Sequence, residues 1–279
     1  MNILEARRVF FAYQTDNPVL INVNFQAKEG DLIGILGANG AGKTTLLKLL
    51  TNILKPVSGT VFFKNMPIKS IKPNGLYSQI GFVFQNPVHQ LFGFSVEEDV
   101  GFGPVNMGLG KDEVERRTME ALRLVGLMGC QKRSIRSLSF GEQKRACIAG
   151  MLAMMPKILI LDEPTQGLDP QGEVQICGLL HKLSKKTGIT IIVTMHNVDL
   201  AARFLKTVYI LKDGQVIASG QLKEVFRREK DLLQARLRIP YVARLFHYLE
   251  KRSRWLLKDD APLTLKEARK AINQALWQR

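Results

Sequence analysis

The sequence predicts an α/β fold built on a parallel sheet, and three observations carry that expectation. Three short aliphatic runs, at residues 31–36, 157–161 and 189–195, read as strands buried on both faces. Segments with helical apolar spacing, at 44–54, 140–155 and 172–186, lie between and beside them. Strands that alternate with helices favour parallel pairing with right-handed crossovers. The composition, 46% hydrophobic and 23% charged over 279 residues, is that of a globular chain. It excludes a disordered tail, a coiled coil and a collagen-like repeat.

The elements follow in order. Residues 3–13 and 19–26 alternate or run apolar in a strand-like way. Strand 31–36 runs into Gly37-Ala-Asn-Gly-Ala-Gly-Lys43-Thr44-Thr45, and a helix over 44–54 should follow, stopped by Lys55-Pro-Val-Ser-Gly59. Residues 60–64 and 79–85 are further strand candidates, and 111–127 is a polar, helix-prone block. Residues 208–211, Asp213-Gly214 and 216–218 spell a hairpin. After Gly220 apolar residues recur at helical spacing (Leu232, Leu233, Leu237, then Val242, Leu245, Phe246 and Leu249), which predicts a small helical appendage over 221–279.

Charge and cysteine content narrow the function classes. The balance is 40 basic against 25 acidic residues, or +15. Residues 221–279 hold 15 Lys/Arg and 7 Asp/Glu, so this fifth of the chain carries over half of the surplus. Such an excess asks for nucleic acid, an anionic lipid surface or a phosphorylated ligand. Cys130, Cys147 and Cys177 form no CxxC pair, which fits a reducing compartment rather than a disulfide framework or zinc site. The first residues, MNILEARRVF, place charge where a secretory signal needs an apolar run. No stretch approaches the roughly 18 to 20 apolar residues needed to span a bilayer.

Gly37-xxxx-Gly42-Lys43-Thr44 matches the P-loop pattern. Its glycines let backbone N–H groups turn toward phosphate oxygens, and the following helix start adds partial positive charge. Lys43 can reach β- and γ-phosphates, and Thr44 can ligate Mg²⁺. Ile158-Leu-Ile-Leu161-Asp162-Glu163 places Asp162 at a strand end for the metal, with Glu163 beside it where a base could polarise water. Ser139 and Glu142 form an S-x-x-E capping box. A capped helix start bearing a hydroxyl and a glycine N–H is also an anion receptor, suited to a nucleotide held by a second copy.

With these residues together, the chain resembles the nucleotide-binding subunit of ATP-binding cassette (ABC) transporters over about residues 3–220. Residues 37–45 match the Walker A loop, Gln85 the Q-loop glutamine, 138–143 the signature sequence, and 158–163 Walker B with its catalytic glutamate. Gly167-Leu-Asp169-Pro170 matches the D-loop, His196 the switch histidine, and Tyr13 the aromatic that stacks on adenine. The resemblance implies a P-loop core of residues 1–220 with an antiparallel β subdomain and a helical subdomain at about 86–155, and a dimerisation role for 221–279. It implies ATP and Mg²⁺ as cofactors. Tyr13, Gly37, Asn39, Gly40, Ala41, Gly42, Lys43, Thr44 and Thr45 would bind ATP. Thr44, Gln85 and Asp162 would hold the metal, and Glu163, His196 and Gln85 would serve hydrolysis. Ser139, Gly141 and Glu142 would act in trans, with Asp169 in the D-loop.

Val83-Phe-Gln-Asn-Pro87, Gln90-Leu-Phe92 and Gly101-Phe-Gly-Pro104 resemble the energy-coupling factor class of importers, which take up transition-metal ions or vitamins. Ala261-Pro-Leu-Thr-Leu-Lys-Glu-Ala-Arg269 most resembles the cobalt/nickel branch. The resemblance implies a homodimer of ATPase subunits, a transmembrane coupling subunit and a substrate-capture membrane subunit. It places the chain peripherally on the cytoplasmic face of the cell membrane, where Lys/Arg near an anionic surface gain roughly 1 kcal/mol each. No direct nucleic acid contact is expected. The competing readings are a vitamin-type importer with two different ATPases, a soluble nucleic-acid-associated ABC ATPase, and a P-loop kinase or GTPase switch. Four residues depart from the family pattern: Phe140 and Glu142 in the signature, His89 before Gln-Leu-Phe, and Asn197 after the switch histidine.

Overall fold

The computed structural model describes residues 2–253 and 261–276; the parts of the expected appendage at 254–260 and 277–279 lie outside the described residues. The chain begins with strands β1 (Asn2–Gln14), β2 (Asn17–Lys28) and β3 (Leu32–Leu36), followed by helix α1 (Lys43–Leu50). Strands β4 (Ser58–Phe63) and β5 (Met66–Pro67), helix α2 (Pro73–Tyr77) and strand β6 (Ile80–Val83) come next. Three helices, α3 (Val96–Asn106), α4 (Lys111–Val125) and α5 (Phe140–Ala153), then lead to β7 (Ile158–Leu161). The pattern α6 (Pro170–Thr187), β8 (Thr190–Met195), α7 (Val198–Phe204), β9 (Thr207–Lys212), β10 (Gln215–Gln221) completes the sheets. The appendage contributes α8 (Leu222–Arg227), α9 (Glu229–Gln234), α10 (Tyr241–Ser253) and α11 (Leu265–Leu276).

Two sheets result. One is antiparallel, in the order β2-β1-β4-β5. The other runs β10-β9-β3-β8-β7-β6, parallel throughout except for β10 at its edge. The register aligns Leu36 with Met195, Val193 with Leu161, and Leu161 with Val83. The carboxyl ends of β3, β8, β7 and β6 therefore reach one common edge, where open α/β sheets bind ligands.

Strand residues alternate between the faces of this sheet. Ile33, Ile35, Ile158, Ile160 and Ile192 pack with α1 and the antiparallel sheet, among Phe25, Leu46 and Leu50. Leu159, Leu161, Ile191 and Val193 pack on the opposite side with α5 and α6, among Ile148, Leu152, Ile176 and Leu180. All nine strand residues are fully buried, which is why these strands read as unbroken aliphatic runs. Cys147 and Cys177 lie in the second of these cores, and burial pushes both thiols up to about 12.

The fold class agrees with the sequence, and most element boundaries fall within a few residues. Helix α1 is shorter than predicted. It ends at Leu50, where Thr51 turns its hydroxyl onto the Leu47 and Lys48 carbonyls and Asn52 takes a left-handed φ of 60°. Helices α3 and α7 were not anticipated. The first is started by a Ser95–Glu98 capping box and continues through Pro104; the second is capped by Asn197, whose side chain accepts from the Asp199 and Leu200 amides. Helices α3, α4 and α5, which follow β6 and precede β7 in the chain, pack on one another. In the appendage, Asp199 of α7 holds both the Arg238 guanidinium at 2.6 Å and the Tyr241 amide at 3.1 Å, while Lys223 meets Glu267 at 2.7 Å. Among the described residues no helix is long and apolar enough to cross a membrane.

Candidate nucleotide site

The phosphate loop joins β3 to α1, and its backbone explains its glycines. Gly42 precedes α1 at φ 100°, a conformation open to glycine and strained for other residues. No side chain caps α1, so the N–H groups of its first turn stay available for an anion. Asn39 and Gly40 stand exposed at the loop tip, while Gly37, Ala41 and Gly42 are buried. Tyr13, near the end of β1, is 60% exposed and shares a 3.3 Å hydrogen bond with the Thr45 hydroxyl.

Lys43 is buried and folded back. Its ammonium donates to the Gly37 and Ala38 carbonyls at 2.9 and 3.1 Å, and lies 3.0 Å from Glu163 Oε1. The Thr44 hydroxyl donates to Asp162 Oδ2 at 2.6 Å. Thr194, the only hydroxyl within the Ile191–Met195 run of β8, donates to the other Asp162 oxygen at 2.8 Å and accepts the Glu163 N–H at 2.8 Å. Glu163 itself sits at φ 40°, a left-handed backbone that a residue with a Cβ seldom adopts. Such local strain persists only where neighbours over-determine it, and it clusters at functional sites.

Gln85 and His196 converge on the same carboxylate. Gln85 Nε2 lies 3.5 Å from Glu163 Oε2 and also donates to the Gln166 side chain. His196 Nδ1 lies 3.8 Å from Glu163 Oε2, with the imidazole 52% exposed. Thus residues at the start of α1 and at or just beyond the carboxyl ends of β6, β7 and β8 meet within one cluster centred on Glu163. Thr44 and Asp162 set two hard oxygen donors side by side, a donor set that suits Mg²⁺.

The signature segment is built differently. Ser139 caps α5: its hydroxyl accepts from the Glu142 N–H at 3.3 Å, and its own N–H donates to Glu142 Oε2 at 2.7 Å. Glu142 also pairs with Arg133 at 2.9 Å. The Ser139 amide, ahead of Arg133, holds the Glu142 carboxyl below the usual carboxylate range. The hydrogen bonds of Ser139 stay within its own helix turn and do not reach the phosphate loop. Phe140 is 40% exposed, and its ring lies against Gly167 of the D-loop segment, where an added Cβ would come within 2.9 Å of it. Asp169 caps α6 by accepting from the Gly172 N–H at 2.6 Å. His89 stands exposed in a short 3-10 turn after β6 and takes no part in the cluster.

Three participants escaped the sequence reading. Thr194 could have been flagged as a hydroxyl directly after three aliphatic residues and two positions before His196. Gln166 follows Walker B by three positions. Lys144 lies two residues after Glu142, and nothing in its local sequence marks it as buried.

Comparison with known proteins agrees with this geometry. The family model described as "ABC transporter" matches residues 20–166. The energy-coupling factor transporter ATP-binding protein EcfA of Methanocaldococcus jannaschii is 43% identical over 278 residues, covering 98% of this chain and 97% of that protein. The solved structure of cbiO1 from Clostridium perfringens, part of the ABC transporter complex cbiONQ, superposes with a TM-score of 0.77 at 42% identity, over 89% of this chain and 99% of that one. An ATP-binding cassette solved as a dimer in a post-hydrolysis state with ADP and Pi matches with a TM-score of 0.71 at 30% identity, over 78% of this chain and 98% of that one. The chain therefore belongs to the ABC transporter family, as an ATP-hydrolysing subunit of the energy-coupling factor type.

Proposed function

We propose that this chain powers an energy-coupling factor importer of cobalt or nickel ions, as a homodimer seated on membrane partner subunits. The observation that carries the dimer is the contrast between the two anion receptors. The phosphate loop and Glu163 share one cluster, whereas Ser139 and Gly141 open a helix whose cap bonds stay local. Each ATP then lies between the phosphate loop of one copy and the signature helix of the other. The cassette solved as a dimer with ADP and Pi supports this arrangement.

The roles follow from geometry and charge. Tyr13 stacks on adenine, and Lys43, Thr45 and the amides of residues 37–42 hold the phosphates. Thr44 and Asp162, with Gln85, hold Mg²⁺, which supplies charge neutralisation at the phosphates when bound. Glu163 orients and deprotonates water, while His196 and Gln85 sense the γ-phosphate. The chain does little covalent chemistry; it positions groups and neutralises charge.

Exposed aromatics support the membrane partner. Phe92 and Phe102, 64% and 47% exposed, line a cleft of about 680 Å³ between α2, α3 and α5, and Phe94, two residues after Phe92, is 90% exposed. An exposed apolar patch of this kind marks an interaction site. The division into a 1–220 cassette, a helical subdomain at about 86–155 and a dimerising appendage at 221–279 belongs to the same proposal. The cargo rests on the resemblance of residues 261–269 and on the kinship with cbiO1 of the cbiONQ complex. Purification of the tagged chain from native membranes, with co-purifying subunits identified by mass, tests the assignment. Two integral membrane partners and Co²⁺- or Ni²⁺-dependent uptake by the complex are expected. A second, different ATPase with vitamin uptake, or recovery with nucleic acid, would overturn it.

A further inference from the structure

A buried ammonium joins four of the site's segments. Lys144, in the second turn of α5, is 1% exposed. A lysine is almost never buried so completely without partners for its charge. Its hydrogen bonds go to two main-chain carbonyls, that of Gln85 and that of Glu163, the latter at 3.4 Å. The Phe140 ring covers it, with the nitrogen 5.4 Å from the ring centroid, a cation–π contact. That same ring rests against Gly167. One cation thus reaches the Q-loop, Walker B, the signature helix and, through Phe140, the D-loop.

The contact with Glu163 bears on the left-handed backbone described above. Thr194, from β8, accepts the Glu163 N–H, and Lys144, from α5, donates to the Glu163 C=O. The strained residue is gripped on both of its peptide groups by two different elements. Removing either grip lets the φ of 40° relax toward an ordinary value, which would swing the carboxylate. Burial lowers the lysine's proton affinity, while the carboxylates of Asp162 and Glu163 act in the opposite sense.

We infer that Lys144 is a positioning residue for ATP hydrolysis. It fixes the Glu163 backbone and the Gln85 loop from the signature helix, so a shift of α5 reaches both at once. This rests on reading Glu163 as the base.

The test uses the full chain with Lys144→Met, which is nearly isosteric and uncharged, and Lys144→Gln, whose amide keeps a donor for one carbonyl. Steady-state phosphate release gives kcat and KM for Mg·ATP, with Glu163→Gln as control. The expected order of kcat is Lys above Gln above Met. The Met variant should fall about 10- to 100-fold, as for a catalytic group misplaced by about an ångström, while KM stays within about twofold. Wild-type kcat in both variants overturns the inference. So does a loss that follows only the fraction of folded protein, measured by thermal melting. If the Met variant does not fold, the Gln variant decides alone. Normal turnover by Glu163→Gln would instead overturn the base assignment beneath it. An inactive Glu163→Gln beside a fully active Lys144→Met would overturn only the role of Lys144.

Discussion

Two ion pairs of similar length sit in opposite surroundings. Lys43 and Glu163 meet at 3.0 Å at the carboxyl edge of the parallel sheet, their side chains 5% and 7% exposed. Glu113 meets Arg116 at 2.7 Å and Arg117 at 2.6 Å on the outer face of α4, with Arg116 54% exposed. An exposed pair gains little, because water screens it and two long side chains lose freedom. A buried pair has already lost its hydration, so each partner depends on the other. The Lys43 ammonium also donates to the Gly37 and Ala38 carbonyls. A polyphosphate at the loop would compete with Glu163 for this ammonium.

The sharpest way to break this comparison is Glu163→Gln. If the carboxylate is the base, hydrolysis should fall about 10²- to 10⁴-fold, read as steady-state phosphate release. ATP should still bind, since the phosphate loop is intact, and an ATP-dependent dimer should accumulate on size-exclusion chromatography. Turnover near that of the parent chain would leave the inner pair a purely structural contact.

Lys43→Met comes next. It strands a carboxylate in a dry site, which should cost about 3–5 kcal/mol in urea unfolding, together with loss of ATP binding. The double variant Lys43→Met/Glu163→Gln removes both charges and should recover most of that stability. A cycle in which the two losses simply add would show that the pair is not coupled.

The phosphate loop, Walker B and the capping box were legible because each is a local string whose spacing carries its geometry. The six-stranded order was not, since it depends on which strands neighbour one another across long crossovers. Helix α3 was hidden by Gly101, Gly103 and Pro104, which read as breakers, although Ser95 and Glu98 spelled its capping box. Strand β5, two residues long, is too short to show a period. Lys144 illustrates the deeper limit. Its carbonyl partners lie 59 and 19 positions away, brought to it by the packing of α5 against β6 and β7. A lysine in a run of Gln-Lys-Arg looks like a solvated helix face until that packing is known.

Ser139→Ala separates local stability from action in trans. Loss of the cap on α5 should cost about 1 kcal/mol in thermal or urea unfolding. The monomer should still bind ATP, because the Ser139 hydroxyl bonds the Glu142 N–H within its own helix turn. ATP-driven dimerisation in the Glu163→Gln background should weaken by far more than the cap accounts for. Equal, small effects on both measurements would reduce the signature serine to a capping residue.

The smallest effect is expected at the outer pair. Hydrogen bonds from Arg116 and then Arg117 hold the Glu113 carboxyl down at about 2, below its ordinary 4.5. A carboxylate whose folded-state pKa is depressed adds stability that is complete above about pH 4.5 and is lost as pH falls through about 2. The melting temperature of Glu113→Gln should therefore differ slightly from the parent at pH 7. The two curves should converge between about pH 4.5 and 2, with ATPase activity at pH 7 unchanged. Raising salt to 1 M, where the screening length is about 3 Å, should shrink the pH 7 difference as well. The inner pair, shielded from solvent, should keep its Lys43→Met penalty in the same salt. If salt erased both effects alike, burial would not be what distinguishes the two pairs.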